Sequence, residues 1–201
     1  MPLARLLAVC VAAIAALSVL FRLWLNLPEH GMIGSLWDML RYFTILTSLI
    51  VTIVFAGLWA GRAVSPALIA GTTLWMVMVG IIYHLLLARA LGGADWIADQ
   101  ALHTVTPIAA GLWWLILGPK HGLRWSHAVL WTFWPMAYLL YALARGLADG
   151  TYPYFFIDPT AVGWPGLLAW VAILWLVFWV AGLAVVALAR RLSRSARGPA
   201  G

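Results

Sequence analysis

Few side chains in this sequence could act as a nucleophile, an acid or a base, and three of them are predicted to lie at one depth. Thr44 lies one to two turns into one apolar run, and His103 lies about one turn into another. Asp99 precedes His103 by four residues, so their side chains can meet on one helical face. A threonine hydroxyl needs an adjacent base, which neutral His103 could supply while Asp99 fixes its tautomer. Thr47 and Ser48 share the helical face of Thr44, so the residues alone predict a polar cavity at this depth that could support hydroxyl–histidine chemistry.

Further polar and aromatic residues accompany this set on the same predicted side of the chain. Five are candidate substrate contacts: Arg41, Tyr83, His84, Tyr154 and Asp158. A guanidinium such as that of Arg41 could bind a substrate carboxylate. Donors to a developing oxyanion must be side chains or a broken helix end, because a regular helix has already used its N–H groups. Arg41, Tyr42, His84 and Tyr154 stay open as alternatives for that task.

The elements that must position these residues are long apolar runs. The composition is 65% hydrophobic and 9% charged, whereas a soluble domain has about a quarter charged residues. Runs of about 20 apolar residues are long enough to cross a bilayer. The sequence therefore predicts an all-α bundle of six transmembrane helices. Their predicted bounds are Leu3–Leu25, Trp37–Ala60, Pro66–Ala88, Ile97–Gly118, Trp125–Gly146 and Trp164–Ala189.

Charge placement predicts the orientation, with both termini in the cytoplasm. In that orientation the inner segments hold eight of the 12 basic residues and none of the six acids. These eight are Arg5, Arg62, Lys120, Arg124, Arg190, Arg191, Arg194 and Arg197. Residues 1–189 then form one membrane domain, and 190–201 a flexible basic tail on anionic headgroups. In a bacterium this is the plasma membrane, with the candidate site on its outer side. The scattered basic residues form no patch for nucleic acid.

Two prolines predict irregular helices. Pro107 lacks an N–H group, so a continuous helix would leave the carbonyl of His103 without its usual donor. Either the helix kinks beside His103, or it begins near Thr104 with that residue as its cap. Pro135 is predicted to break the fifth helix in the same way.

Several short segments resemble a bacterial family of six-helix membrane proteins. Arg41-Tyr-Phe-Thr-Ile-Leu-Thr-Ser-Leu is similar to the family's Tyr-Phe-Thr-Ile-Gln-Ser-Asn segment, and it departs from that pattern at Leu46 and Ser48. The other matching segments are Tyr83-His-Leu-Leu, Leu102-His-Thr-Val-Thr-Pro, Trp134-Pro-Met-Ala-Tyr, Arg145-Gly and Tyr152-Pro-Tyr-Phe-Phe-Ile-Asp. The bacterial family is related to the androgen-induced-gene and androgen-dependent TFPI-regulating proteins of animals.

The resemblance implies an activity and two residues for it. The animal branch hydrolyses fatty acid esters of hydroxy fatty acids with a threonine and a histidine within the membrane. Carried over by motif, these residues are Thr44 and His103. The implied function is a threonine-dependent lipid esterase that needs no cofactor.

Two other classes of function stay open. The first is a metal hydrolase, with zinc held by His30, His84 and His103 and with Asp99 and Asp158 nearby. The second is a non-catalytic protein that binds a lipid or a small molecule, including haem between His84 and His103. Ion transport is disfavoured because every charged residue lies near the end of a predicted helix.

Overall fold

A computed structural model describes residues 2–195, and these form an all-helical chain. In order, its α-helices are α1 (Pro2–Met39), α2 (Phe43–Trp59), α3 (Pro66–Ile82), α4 (Gly93–Gln100), α5 (Thr106–Leu117), α6 (Trp125–Leu130), α7 (Phe133–Asp149) and α8 (Pro159–Ser195). Two π-helical turns, Tyr83–Leu87 and Ala101–Val105, extend α3 and join α4 to α5. A short 3₁₀ turn covers Phe155–Ile157.

Four of these helical stretches are long and apolar enough to cross a membrane. They are Leu3–Met39, Pro66–Leu87, Gly93–Leu117 and Pro159–Arg194, and the apolar α2 has 17 residues. In the most apolar 18-residue stretch of Pro159–Arg194, only 17% of the residues are buried within the protein. Apolar side chains on such a surface are stable against lipid rather than water. The prediction of long apolar helices is confirmed, and it fits an integral membrane protein.

Between the first two predicted helices the structure has a kink rather than a loop. Two helical stretches meet inside α1 at Gly31, where φ is +62°, and the first of them includes Pro28. Glycine reaches this left-handed region without a Cβ penalty. Residues 37–39 belong to α1, and the chain turns at 40–42 through the bonds Arg41 N–H to Asp38 O and Tyr42 N–H to Met39 O.

The chain divides into two compact units, Met1–Gly122 and Leu123–Gly201. In the first unit, α1 packs along α2, α2 along α3, and α3 along α5. Glycine permits the close approach of α3 to α5, because a Cβ at Gly80 would lie 3.1 Å from Pro107 Cβ. Small residues at helix contacts are common in membrane proteins for this reason.

Contacts within the first unit show which helix ends lie together. Trp113 Nε1–H donates to the carbonyl of Ala4 at 3.0 Å, and the guanidinium of Arg5 lies beside Gly61. The start of α1 therefore lies with the ends of α2 and α5. Further along α1, Arg22 pairs with Asp95 at 2.7 Å, which places the start of α4 beside the middle of α1.

The second unit contains α6, α7 and α8. Trp131 and Thr132 separate α6 from α7, and Pro135 lies in the first turn of α7, so the predicted break in the fifth helix is confirmed. α6 packs closely on α8, since a Cβ at Gly182 would lie 3.0 Å from Ala128 Cα. α8 runs on through residues 190–195 of the predicted basic tail. Residues 196–201 of that tail lie outside the described residues.

Candidate active site

Thr44, His103 and Asp99 form a continuous hydrogen-bonded chain in the first unit. Thr44 Oγ1 lies 3.2 Å from His103 Nε2. On the other side of the ring, His103 Nδ1 lies 3.0 Å from the carbonyl oxygen of Asp99 and 3.2 Å from its carboxylate Oδ1. The structure thus brings together the three residues that the sequence singles out for chemistry.

The partners of the imidazole determine which nitrogen carries its proton. A backbone carbonyl oxygen can only accept a hydrogen bond, and an ionised carboxylate also only accepts. Nδ1 of His103 must therefore be the N–H donor toward Asp99, which leaves the lone pair of Nε2 facing the Thr44 hydroxyl. This is the tautomer in which His103 can take the proton of Thr44.

Thr44 lies at the second position of α2, whose first residue is Phe43. Its side chain is only 7% exposed. At the start of α2, the N–H group of Leu46 bonds the carbonyl four residues back, that of Tyr42, at 3.2 Å. The backbone N–H groups of Thr44 and Ile45 come before it, among those that a helix start leaves without an intrahelical acceptor.

His103 lies in the π-helical turn Ala101–Val105, which contains the irregular backbone that Pro107 predicts. The N–H group of Thr106 bonds the carbonyl of Ala101, five residues back. In an α-helix the proline ring would clash with the carbonyl of His103, and the wider turn relieves that clash. The prediction of irregular backbone at His103 is confirmed, although the helix neither stops nor begins at Thr104.

Tyr83 contacts both the His103 imidazole and the Asp99 carboxylate. Its hydroxyl donates a hydrogen bond to Asp99 Oδ2, and its ring stacks on His103 with centroids 3.9 Å apart and planes 14° from parallel. The sequence offers no local signal for this arrangement, because Tyr83 and Asp99 belong to different helices joined by a loop. The same holds for Gly80, whose lack of a side chain lets α3 reach the carbonyl of His103.

A second threonine–histidine contact lies next to the first. His84 Nε2 is 2.9 Å from Thr104 Oγ1, and the Thr104 hydroxyl donates to Gln100 Oε1 at 2.8 Å. The His84 ring meets the Tyr83 ring edge to face, with centroids 5.1 Å apart. His84 itself is exposed. Arg41, the other predicted substrate contact of this unit, is 4% exposed and lies three residues before Thr44.

Tyr154 and Asp158 belong to the second unit. Tyr154 stacks on Phe156, with centroids 5.1 Å apart. Asp158 caps α8, since its carboxylate accepts from the N–H and the hydroxyl of Thr160 at 2.8 and 2.6 Å. The Thr160 hydroxyl is the main reason that the pKa of Asp158 lies below its usual value. A role for either residue in binding substrate stays a prediction.

The alternative of a metal centre finds no matching set of ligands in residues 2–195. No three His, Cys, Asp or Glu side chains of this part of the chain converge as metal ligands. His30 lies 3.9 Å from carboxylate oxygens of Glu29 and Asp38, while both nitrogens of His103 face protein partners. The three histidines proposed for zinc are therefore not brought together as a ligand set in the described part of the chain.

Comparison of the chain with known protein families, curated proteins and solved structures gives no match. The resemblance to the six-helix family therefore depends on the motifs alone. It stays a prediction, and the functional proposal depends on the geometry of Thr44, His103 and Asp99.

Proposed function

We propose that this protein is an intramembrane ester hydrolase in which Thr44 is the nucleophile and His103 its general base. The observation that carries the proposal is the 3.2 Å contact from Thr44 Oγ1 to His103 Nε2, with Asp99 on the opposite nitrogen. A nucleophile, a base and an orienting acceptor in series are the parts that acyl transfer needs.

The reaction proceeds in two steps, acylation of Thr44 and its deacylation by water. Thr44 Oγ1 attacks the ester carbonyl while its proton passes to His103 Nε2, and the resulting imidazolium then protonates the leaving alkoxide. The alcohol departs and the acyl group remains on Thr44. In the second step His103 removes a proton from water as that water attacks the acyl-threonine. The imidazolium then returns the proton to Thr44 Oγ1 as the bond to the acyl carbon breaks, and the carboxylic acid leaves.

Stabilisation of the tetrahedral intermediate is assigned to the start of α2. The backbone N–H groups of Thr44 and Ile45 lie where the helix has no acceptor for them, and the positive end of the helix dipole favours negative charge there. Such donors beside the nucleophile are the usual form of an oxyanion hole. The buried guanidinium of Arg41, three residues before Thr44, adds positive charge to the same end of the helix.

The proposed substrate is a lipid ester, such as a fatty acid ester of a hydroxy fatty acid. The apolar surroundings of the site support an acyl chain rather than a water-soluble ester. Leu85, which follows His84, is 76% exposed, so an apolar surface lies beside the second threonine–histidine contact. Acyl chains could pack against such a surface while the ester group reaches Thr44.

The proposed topology has six membrane crossings with both termini in the cytoplasm, and the site faces outward in the plasma membrane of a bacterium. The contact of Arg5 with Gly61 and the ion pair of Arg22 with Asp95 support the charge partition within the first unit. Single-cysteine variants at Gly61 and Asp95, in a Cys10→Ala background, test it in intact cells. An impermeant maleimide should label only the second, and labelling of the first alone would reverse the orientation.

The activity is tested with purified protein in detergent. The substrates are a fatty acid ester of a hydroxy fatty acid and a p-nitrophenyl acyl ester, and Thr44→Ala is assayed beside the wild type. Turnover that disappears in the variant, while its melting temperature is kept, supports the proposal. Equal turnover in both proteins would overturn it. No turnover of either ester by folded wild type would favour lipid binding without catalysis.

A further inference from the structure

Tyr83 contacts both of the groups that stand behind Thr44. We propose that it is a positioning residue of this site: its hydroxyl fixes the Asp99 carboxylate and its ring fixes the plane of the His103 imidazole. The catalytic meaning of this role rests on the proposed function, whereas the contacts themselves can be measured without any substrate.

The carboxylate of Asp99 has a different partner at each oxygen. Oδ2 accepts from the Tyr83 hydroxyl, and Oδ1 lies 3.2 Å from His103 Nδ1. Rotation of the carboxylate about its side chain would therefore disturb both contacts at once. The Asp99 side chain is 13% exposed, which leaves little room for water to replace the phenol. Tyr83 thus holds the acceptor that orients the base.

The ring of Tyr83 restricts the imidazole directly. The two rings are stacked at 3.9 Å and lie nearly parallel. A turn of the imidazole out of this plane would drive its edge into the tyrosine ring, so Nε2 stays directed at Thr44 Oγ1. Because an attacking geometry off by about 1 Å can reduce a rate about 10²-fold, a fixed ring plane matters for catalysis.

The local backbone explains why Tyr83 can reach this position. It is the first residue of the π-helical turn Tyr83–Leu87, closed by the bond from Ala88 N–H to Tyr83 O at 2.8 Å. Tyr83 is 6% exposed, whereas Leu85 is 76% exposed. The turn therefore places Tyr83 inside the protein and its neighbours outside.

This role differs from the substrate contact that the sequence predicts for Tyr83. A phenol that binds substrate needs an available hydroxyl, and that of Tyr83 is engaged by Asp99. One face of its ring is covered by His103 and the residue is almost fully buried. A substitution of Tyr83 is therefore expected to change turnover, by way of His103, rather than substrate affinity.

The test uses the full-length protein with Tyr83→Phe, which keeps the stacked ring and removes only the hydroxyl. The matched control is Tyr141→Phe, because Tyr141 also bonds a charged side chain, that of Arg145 at 2.9 Å in the second unit. In Tyr83→Phe we expect kcat to fall about 10- to 100-fold, as when the outer partner of a functional histidine is lost. KM should stay within about twofold, and Tyr141→Phe should match the wild type.

A second readout needs no substrate. In protein labelled with ¹⁵N-histidine, the ring signals of His103 are assigned by their absence in His103→Asn. We expect the Nδ1–H tautomer in the wild type, and in Tyr83→Phe a shifted proton resonance with faster solvent exchange, because the Tyr83 hydroxyl no longer holds the Asp99 carboxylate against Nδ1. Tyr83→Leu, which loses the ring too, should have a lower kcat than Tyr83→Phe.

The two readouts separate the inference from the proposed function. An unchanged His103 resonance and unchanged kcat in Tyr83→Phe would overturn the role of the hydroxyl, even if the wild type hydrolyses esters. Equal kcat in Tyr83→Phe and Tyr83→Leu would overturn the role of the ring. A resonance that changes only in the Tyr83 variants, in a protein without turnover, would support the contacts and count against the hydrolase.

Discussion

The first unit contains two threonine–histidine pairs of similar length but opposite hydrogen-bond direction. In one, Thr44 Oγ1 lies 3.2 Å from His103 Nε2, and in the other Thr104 Oγ1 lies 2.9 Å from His84 Nε2. The Thr104 hydroxyl already donates to Gln100, so it must accept from His84. The Thr44 hydroxyl can instead donate to His103, whose other nitrogen faces two acceptors.

The comparison shows that a short distance between a threonine hydroxyl and an imidazole is not enough to make them a nucleophile and its base. The shorter pair is the one in which the imidazole cannot take the proton of the threonine. The third partner decides the direction, and it is a carboxylate for His103 but an amide oxygen for the Thr104 hydroxyl. Changes at the Thr44–His103 site, with the second pair or a matched position as the control, test this assignment.

The largest effect is expected from the two threonines. Thr44→Ala should reduce kcat/KM by about 10³-fold or more, since the nucleophile is lost, while Thr104→Ala should stay within about threefold. Thr44→Ser keeps a hydroxyl and should retain measurable turnover. Steady-state ester hydrolysis checks all three variants. A loss in Thr104→Ala as large as that in Thr44→Ala would mean that the wrong pair has been assigned.

His103 and Thr44 should behave as one unit. His103→Ala should lower turnover about as much as Thr44→Ala, and the double variant should be no slower than either single one, because each change alone removes the proton transfer. The three rate constants are compared under the same conditions. Losses that multiply in the double variant would show that the two residues act separately.

Asp99→Asn should have a smaller effect, about 10²-fold in kcat. The corresponding change in serine proteases costs about 10⁴-fold because the histidine adopts the wrong tautomer. Here the backbone carbonyl of residue 99 still accepts from Nδ1 at 3.0 Å, so part of the orientation survives. The matched change in the second pair, Gln100→Leu, should alter kcat less than about threefold. If Asp99→Asn is equally mild, the carboxylate has no part in the reaction.

Gly80→Ala tests the contact between α3 and the backbone of His103. The new methyl group would meet His103 O at 3.0 Å and Pro107 Cβ at 3.1 Å, so the helices must separate. We expect a destabilisation of about 1–3 kcal/mol and about a tenfold lower kcat. The control is Gly57→Ala, whose Cβ would find its nearest neighbour at 3.8 Å. Melting temperature and turnover are measured together, and equal values for both variants would contradict the prediction.

The smallest effect concerns Asp158, a carboxylate that caps a helix rather than orienting a base. Its lowered pKa means that the cap contributes stability above the unfolded pKa of about 3.9 and loses it as pH falls through the folded value. Thr160→Val removes the main cause of that shift. The variant should melt slightly below the wild type at pH 6–7, and the difference should shrink below about pH 4. A difference that is constant with pH would rule out this cause.

The sequence predicts the reacting groups of the site better than the parts that support them. Asp99 and His103 are four residues apart on one helix, so local periodicity is enough to pair them. Thr44 is paired with His103 by shared depth and by motif. The Tyr83 contact with Asp99 depends on how α3 meets α4, which neither helix shows by itself. The sequence does not predict the role of Gly80 either, because that role is to leave space where a side chain would be.

The sequence likewise predicts some helix bounds better than others. The predicted third helix begins at Pro66, as α3 does, and the Ser65 side chain caps it by accepting from Leu68 N–H. The stretch around Pro28 reads as a loop because it combines proline, charge and glycine. In the structure only Gly31 leaves the helical region. Proline there costs one hydrogen bond, which the packing of a long apolar helix tolerates.

The π-helical turn at Ala101–Val105 makes the site sensitive to chain length as well as to side-chain identity. A single residue corresponds to about 100° of rotation along a helix. Loss of Ala101 or Leu102 from this turn would remove one residue between Asp99 and His103, and it would turn Asp99 away from the helical face that it shares with His103. Every side chain of the site would survive such a deletion, yet the carboxylate would no longer face the imidazole. An inherited gap of one residue at this point could thus separate an active lineage from an inactive one.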